Sequence, residues 1–138
     1  MKRESKKSCF TIAMVLTVIF FTNTIFGQES ATCEKIVSQI YEGINKQKAD
    51  HLVGYLSRDF SMAGYKGEIA IQIFPVYITG IKEKVTNIKK HSEKKTNVLT
   101  LVYEAKFADN EVNKSTFVFD KNNKLIKMDL LPTQVIEK

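Results

Sequence analysis

The hydrophobic positions of this chain change their period part-way along. Residues 33 to 48, "CEKIVSQIYEGINKQK", space Ile36, Val37, Ile40, Tyr41 and Ile44 three and four apart, as one helical stripe requires, with Thr32 available to cap the first turn. Glu42 and Lys46 add an i,i+4 pair. "ADHLVGYLSRDF" follows with Leu52, Val53 and Leu56 at similar spacing, and Asp50 stands where it would cap a second, shorter helix. From residue 97 onward the period is two. In "NVLTLVYEAKFA", Leu99, Leu101, Tyr103, Ala105 and Phe107 share a face, opposite Thr100, Glu104 and Lys106. "VNKSTFVFD" groups Asn113, Ser115, Phe117 and Phe119, and "LIKMDLL" groups Ile126, Met128 and Leu130, with "ADNEV" and "DKNNKL" as turns between the runs. The run 81–91 is a less regular strand that leads into a Lys-rich hairpin tip at 92–96. Helices first and an antiparallel meander afterwards predict an α+β domain in which helices cover one face of a sheet.

Between these halves lies "FSMAGYKGEIAIQI". Phe60 to Ala63 is short and extended, and Gly64 and Gly67 permit a turn that other residues would strain. The continuation 68–78 fits two periods. Ile69, Ile71 and Ile73 alternate as a strand does, while Ile69, Ala70, Ile73, Val76 and Tyr77 form a helical face, with Pro75 a stop or a kink.

The first 27 residues change the charge and the compartment. Lys2, Arg3, Lys6 and Lys7 precede the apolar run "CFTIAMVLTVIFF" (9 to 21), and polar Thr22, Asn23 and Thr24 lead to small Gly27. This is the layout of a secretory signal, shorter than the ~20 apolar residues of a spanning helix. The expected product is an exported single domain, 28–138, released near Gly27 into the periplasm or the medium and meeting the membrane only through its signal. Neither Cys9 nor Cys33 is placed for lipidation. The processed chain keeps 17 basic and 14 acidic residues, net +3 instead of +6, and a single arginine, Arg58. Such a mild, Lys-based excess does not make a nucleic-acid face. Loss of Cys9 leaves Cys33 without an internal partner, so packing must hold the domain.

Taken in order, these features resemble the nuclear-transport-factor-two-like superfamily, a curved antiparallel sheet wrapped by three helices into a cone. The resemblance runs from about Cys33 to Pro132. It rests on "INKQKADHLVGYLSRDFSMAGYKGEIA", similar to the family's helix, short helix and glycine-turn passage, and on "TFVFDKNNKLIKMDLLP", similar to its closing pair of strands. It implies a third helix over 68–78, entered through the two glycines.

Enzymes of that superfamily place carboxylates, His or Tyr inside the cone. The strand phases direct apolar residues and Ser115 inward and set Glu104, Lys106, Asp120 and Asp129 on the other face. Tyr103 is then the one titratable group on the inward strand faces, and a phenol is a poor proton acceptor near neutral pH. The expected function is binding of a small hydrophobic ligand, or of a protein partner, without catalysis. Tyr41, Tyr55 and Tyr77 on the helices and Tyr103, Ser115, Phe117 and Met128 on the strands are the expected ligand contacts. The alternative is an isomerase, dehydratase or cyclase, with Tyr103 as donor and His51 or Asp59 as base. His91 sits among Lys89, Lys90, Lys94 and Lys95 at the hairpin tip. No cofactor is expected, and no His, Cys, Asp or Glu spacing resembles a metal site. Gly64-Tyr65-Lys66-Gly67 matches an RNA-binding GxxG loop but lacks its flanks. Unpaired sheet edges leave homodimerisation open.

Overall fold

The computed structural model describes residues 30–107 and 111–130. The expected signal segment with its expected cleavage point, the expected turn residues 108–110 and the end of the family resemblance at Pro132 lie outside them. The fold belongs to the unit that begins at Cys33.

Helix α1 covers residues 30–46, so Thr32 lies inside it instead of capping it. The predicted stripe is buried, and Cys33 joins it at 0% exposure. α1 ends in a left-handed residue, Gln47 (φ 58°). Lys48 N donates to Gly43 O at 2.9 Å and Gln47 N to Ile44 O at 3.3 Å, a Schellman-type pairing in which glutamine replaces the usual glycine. Two amides then lash this end to residues 81–85. Gln47 Nε2 donates to Ile44 O and Ile81 O at 2.9 and 2.8 Å. Asn45 donates to Val85 O at 3.0 Å and accepts from Val85 N at 2.7 Å.

The second helix is shorter than the spacing predicts. A 3-10 helix spans Asp50–Tyr55, preceded by Ala49 with no side-chain cap, so Asp50 opens the helix and does not cap it. Strand β1, Leu56–Met62, takes over at Leu56 and buries Leu56, Phe60 and Met62. β2 is Tyr65–Lys66, paired to β1 with Met62 opposite Tyr65. The intervening loop has two residues, Ala63 (φ 49°) and Gly64 (φ 84°), both left-handed, which matches the twist of a tight hairpin. Gly67 (φ 71°, ψ −140°) occupies a region open essentially to glycine and turns the chain into α2, Glu68–Gly80. The helical alternative for 68–78 is therefore correct, but the buried face is Ala70, Phe74 and Ile78, while Ile69 and Val76 are exposed. Docking of Phe74 edge-on against Phe60, 5.6 Å between centroids, sets that rotation. Pro75 is carried inside the helix, and Thr79 Oγ1 donates to its carbonyl at 2.9 Å.

The remaining strands are β3 (Thr86–Lys95), β4 (Leu99–Lys106), β5 (Val112–Phe119) and β6 (Leu125–Asp129). They form one six-stranded sheet in the order β2-β1-β6-β5-β4-β3, antiparallel throughout except that β1 runs parallel to β6. The sheet is open at β2 and β3, with the helices packed over its apolar face: the α+β arrangement expected. β3 starts later than predicted and absorbs the supposed tip, so His91, Lys94 and Lys95 are strand residues. All ten of its residues are exposed, and its lysines suit an unpaired edge. The phases of β4 and β5 match expectation. In β6, Leu125 takes the inward place assigned to Ile126, because the β5–β6 register shifts by one residue beyond Val118. Among the described residues no helix is long and apolar enough to cross a membrane.

Candidate functional site

Three aromatic rings meet where α1 crosses β4 and β5. Tyr41 lies 5.9 Å from Phe117 and 6.3 Å from Tyr103, and Tyr103 lies 6.0 Å from Phe117, measured between centroids. Both contacts of Phe117 are edge-on, the favoured sense of the ring quadrupoles. The strand period delivers Tyr103 and Phe117 to one face, and the helical stripe delivers Tyr41 above them. Ser115 is opposite Tyr103 in the ladder, and Met128 is opposite Phe117.

The polar groups in this cluster differ in how they are satisfied. Ser115, at 0% exposure, donates from Oγ to Leu130 O at 2.6 Å. Tyr41 Oη, equally buried, makes no hydrogen bond of full geometry among the described residues; the Ser115 hydroxyl is close enough to act on its phenol, but donates its own proton to Leu130 O. Burial pushes its phenol up to about 12; the nearby Ser115 hydroxyl opposes the shift and the Tyr103 phenol adds to it. Burial also raises the Tyr103 phenol, with Glu34 adding to the effect. Both phenols are therefore hydrogen-bond donors near neutral pH, not bases. Lys90 stands close to Tyr103, paired to Glu34 of α1 at 2.7 Å and to Glu93 at 3.2 Å. It fastens the edge strand to the helix beside the rings.

Of the seven expected ligand contacts, Tyr41, Tyr103, Ser115 and Phe117 converge, and Met128 adjoins them. Tyr55 and Tyr77 do not reach the ring cluster and pack, half-buried, at the edge of the core. Tyr77 belongs to the α2 side, where burial and then the Asp129 charge raise its phenol. The candidate bases His51 and Asp59 are exposed, as is Arg58, so neither base reaches the inward face. Glu104 and Asp129 also stay off that face. Glu104 Oε1 lies 3.0 Å from His91 Nδ1, and Lys89 lies 3.7 Å from the other carboxylate oxygen, a pairing across β3 and β4 that the supposed hairpin tip concealed. Among the described residues no three metal-ligating side chains converge.

Among the described residues, grooves also open beyond the ring cluster. One of about 590 Å3 is lined by Ser61 to Lys66 and by Lys127, Met128 and Asp129. Another, about 430 Å3, lies between Ile88, Glu104, Lys106 and Val112 at the far end of the sheet. Nothing in the spacing of residues marked either groove, because both arise from strand pairing.

No protein-family profile and no curated protein matches the sequence. Several solved structures are similar. An epoxide hydrolase/cyclase-like enzyme with a role in pyran ring formation in the polyether salinomycin is 13% identical, with a TM-score of 0.49 over 75% of this chain and 92% of its own. A putative polyketide cyclase from Sinorhizobium meliloti is 12% identical, with a TM-score of 0.46 over 68% and 91%. An NTF2-like protein of unknown function from Mesorhizobium loti is 10% identical, with a TM-score of 0.46 over 72% and 88%. The likeness is one of fold alone.

Proposed function

We propose that this chain is an exported binding domain, without catalysis, for a small hydrophobic ligand that carries one hydrogen-bond acceptor. The ligand would lie on the inward sheet face among Tyr41, Tyr103, Ser115, Phe117 and Met128, with Tyr55 and Tyr77 at the periphery. The observation that carries this reading is the Tyr41 hydroxyl, which is fully buried and makes no hydrogen bond of full geometry among the described residues, Ser115 being its near neighbour. A buried donor without an acceptor costs about 1–3 kcal/mol, and a carbonyl or ether oxygen on an apolar ligand would recover it. The surrounding rings supply the apolar contact. The raised phenols are poor proton acceptors, the expected bases His51 and Asp59 are exposed, and the Glu34 carboxylate near Tyr103 is paired to Lys90, which weighs against acid-base chemistry.

A thermal-shift screen with ketones, ethers and hydrocarbons of matched size tests the proposal. Ketones or ethers are expected to raise the melting temperature more than hydrocarbons do. A flat response across the series overturns it. Export is carried by the basic and apolar order of residues 1–27, and the intact mass of the protein recovered outside the cytoplasm should lack that segment.

A further inference from the structure

Helix α2 is apolar almost all round. Of its 13 residues only Glu68, Gln72, Thr79 and the Tyr77 phenol bring polar side-chain groups, and a helix of that composition is normally covered on every side. One side is covered. Ala70, Phe74 and Ile78 are buried in the core, and Ile71 and Tyr77 pack against it. Ile69, Ile73, Val76 and Gly80 follow one another at intervals of four, three and four, which sets them on a second stripe turned away from Phe74. Val76 is 71% exposed and Ile69 58%, the two most exposed large apolar side chains among the described residues. Ile73 between them is half-buried.

This stripe reads the same from either end. When the helix is reversed about a point between Phe74 and Pro75, Ile69 exchanges with Gly80 and Ile73 with Val76. The spacing is that of a coiled-coil seam, and the exchange is what an isologous contact between antiparallel copies requires, where residue i meets j and j meets i. Gly80 completes the fit. A Cβ there would meet nothing within 4 Å, and its φ is not left-handed, so the fold itself has no need of glycine at this position. A second copy does, because its Ile69 must occupy that space.

The polar groups follow the same exchange. Glu68, Gln72 and Thr79 share one flank of the stripe, and Lys82 Nζ is held at the end of that flank by Thr79 O at 2.8 Å and Gln47 Oε1 at 2.9 Å. Reversal brings the exposed Glu68 carboxylate of each copy toward the Lys82 ammonium of the other, and Gln72 beside Thr79. Opposite charges therefore meet at both ends of the seam.

We propose that two copies of this chain pair through α2, antiparallel, with each Ile69 seated over the other copy's Gly80, each Ile73 against its Val76 and each Glu68 facing its Lys82. A seam on one helix about 20 Å long is smaller than the roughly 800 Å2 per partner of a standard interface, so the dimer is weak, with a dissociation constant of roughly 0.1–1 mM. The sheet edges and the inward rings take no part. Pairing stands whether or not the inward face takes a ligand.

Sedimentation equilibrium of the full chain from micromolar to millimolar concentration tests the proposal, with Cys9→Ser in every protein. The parent should pass from monomer to dimer mass, and Val76→Glu should weaken association at least tenfold. Val76 is exposed, and melting curves confirm the fold of the variant. A parent that stays monomeric at millimolar concentration overturns the proposal, whatever else covers the stripe. Association that Val76→Glu leaves unchanged also overturns it, since the apolar run 9–21 and the sheet are common to both proteins. A short bis-maleimide then reads the register. Chains carrying Ile69→Cys and chains carrying Gly80→Cys should link to each other when mixed but not each to its own kind, because the two 69 positions of a dimer stand about 16 Å apart along the axis. Cys33, at 0% exposure, does not compete. Linking of Ile69→Cys to itself as readily as to Gly80→Cys overturns the antiparallel pairing.

Discussion

Ser115 Oγ donates to the Leu130 carbonyl at 2.6 Å, which ties the middle of β5 to the residue that follows β6. Both groups are buried, so the bond is made where no water replaces it. Ser115→Ala leaves the carbonyl without its donor, and the unfolding free energy should fall by about 1–3 kcal/mol, read from the urea midpoint at constant slope. An unchanged midpoint would mean that this end of the sheet relaxes to recover the bond.

Tyr41 behaves oppositely. Its hydroxyl is buried without a hydrogen bond of full geometry, so Tyr41→Phe removes a desolvated group and keeps the ring contacts to Phe117 and Tyr103. The variant should be as stable as the parent or up to about 1 kcal/mol more stable. A loss of that size would show that the hydroxyl is bonded in solution, most simply to Ser115.

The same residue predicts a pH dependence. Its phenol is raised from 10.0 to about 12 in the fold, so the unfolded chain ionises first. The stability linked to Tyr41 is complete below pH 10 and is lost as the pH climbs from 10 to about 12. The expected fall is about 2–3 kcal/mol over that interval, at about 1.4 kcal/mol per unit. Tyr41→Phe should flatten that part of the curve, leaving the smaller contributions of Tyr77 and Tyr103, which are raised in the same sense. Urea titrations of both proteins between pH 9 and pH 12 provide the comparison.

Gly67 holds a backbone conformation that strains any side chain, although the space around it is open. At φ 71° and ψ −140°, Gly67→Ala should cost about 1–3 kcal/mol, because this conformation is strained for any L residue with a Cβ. Gly64→Ala, at φ 84° in the hairpin turn, should cost nearer 1 kcal/mol, about the penalty for a left-handed residue. Thermal melts of the two variants rank them.

The parts of the fold that follow a single local period were legible in the sequence. The stripe of α1 and the alternation of β4 and β5 placed Tyr41, Tyr103, Ser115 and Phe117 on faces that meet. What escaped depended on partners far along the chain. Ile126 yielded its inward place to Leu125 because of a register shift against β5, and the face of α2 was set by Phe60 rather than by its own spacing. His91 met Glu104 only once β3 and β4 were paired. Lys66, Ser61 and Lys127 are separated in sequence and aligned only by the ladder. The missing full hydrogen bond of the Tyr41 hydroxyl has no sequence signal at all, since it depends on every neighbour at once.

The central claim concerns that hydroxyl and the rings around it, and calorimetric titration of the parent and Tyr41→Phe with the best ketone from the screen tests it most directly. The account predicts about fivefold weaker binding of the ketone to Tyr41→Phe, the worth of one neutral hydrogen bond, and equal binding of the matched hydrocarbon to both proteins. Equal affinity of the two proteins for the ketone would contradict it.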